Sequence, residues 1–98
     1  LRYEIIFSPE AEEDYRDLPT ARIRAEVRDA IEEHLRHEPK KLSKSRIKRL
    51  RGMARPQYRL RVGEVRVFYD VVDSEVHILA IVPKSAAAEW LSKLGVEE

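Results

Sequence analysis

The run QYRLRVGEVRVFYDVVDSEVHILAIV, residues 57–82, decides the fold. Three stretches rich in β-branched and aromatic residues, Gln57 to Val62, Val65 to Val72 and Glu75 to Val82, are separated by two-residue breaks at Gly63-Glu64 and Asp73-Ser74. Breaks this short join only antiparallel neighbours, so the run predicts a three-stranded meander. Side chains alternate along a strand, which puts Tyr58, Leu60 and Val62 on one face and Arg59 and Arg61 on the other. A two-residue turn at Gly63-Glu64 pairs Val62 with Val65 and Arg61 with Arg66. Val65, Val67 and Tyr69 then extend the apolar face, while Arg59, Arg61 and Arg66 gather on the opposite one with Phe68 beside them.

Outward from the meander, Arg2 to Ser8 contains Tyr3, Ile5, Ile6 and Phe7 and reads as a further strand. Ser8-Pro9-Glu10 is a helix start: the serine hydroxyl accepts from a free amide, proline suits the first helical position, and Glu10, Glu12 and Glu13 favour the positive helix end. Ala11, Tyr15 and Leu18 fall on one stripe of a short helix. Leu18-Pro19-Thr20 then breaks the chain and restarts it with Thr20 as cap. The second helix aligns Ile23, Val27, Ala30, Ile31 and Leu35 and is stopped by Pro39. Beyond the meander, Pro83 ends the last strand and Ser85 to Leu94 reads as a helix closed by Gly95. The expected order is β-α-α-β-β-β-α in a single α+β domain spanning residues 1–98. An N-terminal strand is added to an antiparallel meander, and a helical hairpin covers its Leu60, Val65 and Val67 face.

Charge is segregated along the chain. Residues 1–38 carry a net −5 and residues 64–98 a net −4, whereas Pro39 to Gly63 holds ten basic residues and no acid. A near-neutral total of +1 therefore conceals one strongly basic region, the usual mark of a polyanion-binding surface, with phosphate the leading ligand. Lys40 to Lys48 has few apolar residues beyond Leu42 and Ile47, and Lys40 to Arg55 reads as a mobile loop whose Lys44, Arg46, Lys48, Arg49, Arg51 and Arg55 supply diffuse attraction. Any one of Arg59, Arg61 and Arg66 could pair with the acidic helices or be solvated. Three like charges across a strand pair cost roughly 0.2–1 kcal/mol per pair, however, and that accumulation favours anion binding.

The 98 residues suffice for one small domain with a modest core. The absence of cysteine excludes disulfides, thiolate metal sites and cysteine nucleophiles, and suits a reducing cytoplasm. No signal peptide and no run of about 18 apolar residues is expected. His34, His37 and His77 share no metal-ligand spacing and are assigned to structure or solvent. Tyr58 and Tyr69 lie on the helix-covered face, and Trp90, beside Leu91 and Leu94, reads as core rather than a base-stacking platform. Gly-rich phosphate loops, HExxH, EF-hand loops and nucleophile elbows are absent.

Three segments, Lys48-Arg49-Leu50-Arg51-Gly52-Met53, Tyr58-Arg59-Leu60-Arg61, and Val65-Arg66-Val67-Phe68-Tyr69-Asp70-Val71, resemble the RelE/ParE superfamily of bacterial toxins, across nearly the whole chain. The resemblance implies the same β-α-α-β-β-β-α fold and the toxin half of a type II toxin-antitoxin pair. In its RelE-like branch it implies a ribosome-dependent mRNA endoribonuclease that needs no metal or other cofactor. The ParE-like alternative inhibits DNA gyrase without cutting nucleic acid, and a degenerate toxin would retain only antitoxin binding. By position, Arg59, Arg61, Arg66 and Lys84 match the family's catalytic basic points. Ser85 stands where the family has an arginine, and Trp90 or Leu91 near its tyrosine. Arginine stabilises phosphorane charge but stays protonated, so Lys84, and after it Glu89, is the acid/base candidate. The implied partners are an acidic and apolar antitoxin segment that folds on binding and mRNA on the ribosome, in the cytoplasm and without a membrane.

Overall fold

The computed structural model describes all residues, Leu1–Glu98. The chain runs β1 (Glu4–Phe7), α1 (Pro9–Arg16), α2 (Ala21–Leu35), β2 (Ile47–Arg49), β3 (Met53–Arg55), β4 (Tyr58–Val62), β5 (Val65–Val72), β6 (Glu75–Pro83), α3 (Lys84–Leu94) and β7 (Val96–Glu97). Both expected caps form: Ser8 Oγ accepts from the Ala11 amide at 3.0 Å, and Thr20 Oγ1 from the Ile23 amide at 3.1 Å. Ser8 also donates to the Leu79 carbonyl at 3.2 Å, which ties the start of α1 to β6. No helix is long and apolar enough to cross a membrane.

The main sheet has the strand order β1-β6-β5-β4-β2, with β1 parallel to β6 and every other pair antiparallel. The expected register is the observed one, with Val62 opposite Val65 and Arg61 opposite Arg66. Gly63 holds φ +57°, a left-handed conformation that costs a residue without a side chain nothing. On one face the α1–α2 hairpin buries Ala11, Leu18, Val27, Ala30, Ile31 and Leu35 against Ile47, Leu60, Val65, Val67, Tyr69, Val76, Ile78 and Ile81. These residues make up the principal core.

Three expectations need correction. Residues 40–55 are not a free loop: β2 joins the edge of the main sheet, and β3 pairs with β7, which the sequence reading did not foresee. Ile47 is buried opposite Leu60 and drives the first pairing, while Ser43 finishes the edge by accepting the Arg46 and Ile47 amides at Oγ and donating its own amide to the Ile47 carbonyl. A three-residue edge strand that carries Lys48 and Arg49 is also a poor template for unwanted strand addition. The Gln57 end is clamped from β5, since Asp70 Oδ1 accepts the Gln57 amide at 2.7 Å and Gln57 Oε1 accepts the Val71 amide at 2.9 Å.

The second correction concerns the face opposite the hairpin, which is not wholly open. α3 lies across it and buries Phe68, Ala80 and Val82 beneath Leu50, Ala87, Trp90 and Leu91. The Phe68 and Trp90 rings stack 5.0 Å apart at 9°, so Phe68 is 1% exposed instead of standing free beside the arginines, and Trp90 packs as expected. The third correction is at the end of α2, which stops at Leu35 instead of running on to Pro39. Its exit is fixed further on by Pro39, whose carbonyl accepts from the buried Tyr69 Oη at 2.7 Å.

Burial raises the Tyr69 phenol well above its ordinary pKa, so this group donates at every physiological pH. Tyr69→Phe leaves the Pro39 carbonyl without that donor. It is expected to cost about 1–3 kcal/mol, measured as a lowered urea midpoint at unchanged m-value.

Candidate nucleic-acid interface

Register and strand period bring basic residues of three adjacent strands onto one face. Arg61 of β4 lies opposite Arg66 of β5, and its amide donates to the Arg46 carbonyl at 2.8 Å on the other side. One row across the sheet is therefore Arg46, Arg61, Arg66. In the next row Lys48 of β2 faces Arg59, which faces Phe68. Directly opposed side chains start about 4.5–5.5 Å apart at Cβ, so these five cations form one field rather than scattered surface charges. The α3 edge, with Trp90 over Phe68, walls one side of it.

The members of the field differ in how free they are. Arg61 is exposed. Arg66 is 7% exposed, and its Nη1 donates to the carbonyls of Gly63 at 2.8 Å and Val65 at 3.0 Å, which rigidifies the β4–β5 turn from within. Arg59 is half-buried, and its Nε is buried without any hydrogen-bond partner. Burial, and then the neighbouring charges of Arg66 and Arg61, hold the Arg59 pKa below the ordinary arginine value. Its cationic form is thus destabilised, and an anion placed against it would relieve both desolvation and repulsion.

The six loop residues expected to attract RNA separate into two groups. Arg49 is tethered to its own segment: its Nη1 donates to the carbonyls of Leu50 at 3.0 Å and Gln57 at 2.9 Å, and its guanidinium lies 5.5 Å from the Tyr58 ring centroid. Arg55 pairs with the Asp70 carboxylate at 3.4 Å. Lys44, Arg46, Lys48 and Arg51 are exposed with no acidic side chain within ion-pair distance. Leu42, Lys44, Lys48, Arg49 and Arg51 line an open cleft of about 530 Å³ beside β2, continuous with the Lys48–Arg59 row.

Lys84 is exposed as the first residue of α3, and its amide donates to the Glu64 carbonyl at 2.7 Å, which sets it beside the β4–β5 turn. Ser85 follows it into solvent. Glu89 pairs with Lys93 at 2.7 Å on the exposed side of α3. The histidines stand apart: His77 bonds Glu75 at 2.9 Å, His37 contacts the Leu1 carbonyl at 3.2 Å, and His34 lies by Glu33. No group of three His, Cys, Asp or Glu side chains is arranged to hold a metal ion. The tethering of Arg49 was hidden from the sequence, because nothing local distinguishes it from Lys48 or Arg51. The Tyr58 partner on β4 is the signal, visible once β2 is known to pair there.

A small α+β domain with a two-faced sheet and one basic face is the class these features define. Residues 5–87 match the model of the ParE toxin of the type II toxin-antitoxin system parDE, and the chain belongs to that family. Its fold is also similar to solved structures. A chain of the toxin–antitoxin complex RelBE2 from Mycobacterium tuberculosis superposes with a TM-score of 0.68 at 28% identity, over 85% of this chain and 99% of that one. A chain of the archaeal RelE–RelB complex from Pyrococcus horikoshii OT3 gives 0.60 at 29% identity, over 86% and 97%. The YoeB dimer from Staphylococcus aureus shares the fold at 22% identity, with a TM-score of 0.58 over 82% and 94%. No curated protein matches the sequence significantly.

The division of the loop cations has a measurable consequence. With a short single-stranded RNA, Arg46→Ala and Lys48→Ala are each expected to reduce the slope of log affinity against log salt by about 0.7. Arg55→Ala is expected to leave that slope unchanged while lowering the thermal midpoint, as measured by fluorescence anisotropy and calorimetry in parallel.

Proposed function

We propose that this toxin is a ribosome-dependent mRNA endoribonuclease that arrests translation in the cytoplasm and is neutralised by a cognate antitoxin. The observation that carries the proposal is the buried, unpartnered Nε of Arg59, one row along from the Arg61–Arg66 pair. A phosphodiester bridging Arg59 and Arg61, with the Arg59 side chain turned so that its Nε faces the ligand, would satisfy that donor and offset the like-charge repulsion of the face. The complexes formed by RelBE2 and by the archaeal RelE and RelB support the antitoxin by analogy.

Strand cleavage by 2′-hydroxyl attack forms a bond from the 2′-oxygen to phosphorus and breaks the bond to the 5′-oxygen. It needs the 2′-hydroxyl proton taken up by a base or by solvent water, charge stabilisation on the phosphorane, and protonation of the leaving oxygen. Arg61, exposed at the centre of the field, and Arg59 beside it take the first role. Arg66 contributes its charge from below and keeps the turn rigid through the Gly63 carbonyl. Lys84 is assigned the proton transfer to the 5′-oxygen, because the Glu64 carbonyl fixes its backbone at the rim of the same turn. The absence of a general base in the field supports ribosomal dependence: the 2′-hydroxyl proton then passes to solvent water or to a group on the ribosome, which also orients the message for attack.

A second reading, gyrase inhibition without cleavage, is favoured by the ParE description of the matching family model and by the packing of Trp90 onto Phe68, which leaves no aromatic hydroxyl at that point. Primer extension on a translated message and a gyrase supercoiling assay with the same purified chain separate the two. Cleavage that falls at least a hundredfold in Arg61→Ala, with Lys84→Ala intermediate, is expected. Undiminished supercoiling by gyrase belongs to the same outcome. Intact message together with inhibited gyrase would replace the first reading by the second.

A further inference from the structure

An apolar groove lies away from the arginine face, on the hairpin side of the sheet end. Its volume is about 360 Å³, and its floor is Leu18, Ile23, Val65, Ile81 and Pro83. Three carboxylates stand around it: Asp14 and Asp17 from α1 and its C-cap, and Glu64 from the β4–β5 turn. None of the three has a basic side chain within ion-pair distance, although ten other acidic residues of the chain do. Arg24 and Arg66 are committed elsewhere, with Arg24 Nη1 donating to the Leu18 carbonyl at 2.9 Å and Arg66 Nη1 to the Gly63 carbonyl at 2.8 Å. Asp14 Oδ2 accepts the Ile81 amide at 3.0 Å; burial raises its pKa despite that bond, and the charges of Glu13, Asp17 and Glu10 add to the effect. An apolar floor with uncompensated negative charge around it suits an apolar segment carrying lysine or arginine, the opposite of what the arginine face selects.

We infer that this groove takes a cationic, apolar segment of the cognate antitoxin, joined directly to the acidic segment that covers the arginine face. The inference rests on the antitoxin reading above and specifies its chemistry. Glu64 borders the groove, while Arg61 and Arg66 lie only three and two residues from it along the strands on the other side of the sheet. At about 3.3 Å per extended residue, a linker of roughly three to five residues rounds the Gly63-Glu64 turn. One continuous strap of the antitoxin therefore holds both faces, with its charge reversing where it crosses the turn. Two oppositely charged contacts in series also fix its direction, since a reversed strap would place like charges together at both ends.

The test uses this chain purified with the product of the short reading frame beside its gene, with binding measured by titration calorimetry at two salt concentrations. Asp17→Lys and the milder Asp17→Asn are compared with Glu33→Lys, an exposed substitution on α2 away from the groove that changes net charge equally. Far-ultraviolet circular dichroism and the thermal midpoint check folding. The expected result is at least tenfold weaker binding for Asp17→Lys, a smaller loss for Asp17→Asn, and less than twofold for Glu33→Lys. Recovery is expected when lysines or arginines of the antitoxin strap are changed to glutamate. Parent-like binding by Asp17→Lys, or an equal loss in Glu33→Lys, would overturn the groove assignment and leave the antitoxin reading standing. Failure of the parent chain to bind the neighbouring product would overturn both.

Discussion

Arg61 faces Arg66 across β4 and β5 because a two-residue turn at Gly63-Glu64 allows no other register, and the rest of the molecule is built around that opposition. The same register that stacks the arginines places Leu60, Val62, Val65, Val67 and Tyr69 together on the reverse face. Slipping it by one residue would send every apolar side chain to solvent and every arginine into the core. The hairpin of α1 and α2 thus pays for the cationic face: burial of one side of the strands holds repelling charges on the other. The repulsion is not fully dissipated, since Arg59 retains a buried donor with no acceptor. Unspent interaction energy of this kind is what a phosphate-binding surface needs before its ligand arrives.

Secondary contacts sharpen that field instead of adding to it. Arg49 and Arg55 are exposed but engaged by backbone carbonyls, the Tyr58 ring and Asp70, and they shape the segment that carries Lys44, Arg46, Lys48 and Arg51. α3 closes the opposite margin. Its seat is the Phe68–Trp90 stack, and Gly95 lets the chain leave the helix closely against Met53 and the Leu91 carbonyl, where a Cβ would collide with both. β7 then locks onto β3, so the C-terminal helix and the basic segment support each other.

Most of the architecture was legible because its signals were local or strictly periodic. Ser8-Pro9, Thr20, the two-residue turns and the alternation of residues 58–69 each carry their own reason for a particular backbone. What was not legible depended on contacts between segments distant in sequence. β2 and β3 have only three residues each, too few for a period, and are specified by Ile47 reaching the core and by β7 arriving from the far end of the chain. The cover over Phe68 was missed for the same reason: alternation put Phe68 on the arginine face correctly, but only the path of α3 decides whether that face meets solvent. Of the site, the grouping of Arg59, Arg61 and Arg66 was readable from register, whereas the burial of Arg66 and the bonds of Arg49 were not.

The central claim is that Arg59 waits for a phosphate. The most direct measurement is the Arg59 Nε–Hε resonance, assigned by Arg59→Lys and followed by NMR while a non-cleavable 2′-deoxy dinucleotide is added. A large shift of that resonance, with slowed exchange of its proton and smaller changes at Arg49 and Arg55, is the result expected. An unmoved Arg59 resonance while the lysines beside β2 respond would contradict the account and reduce the arginine face to a bystander of diffuse attraction.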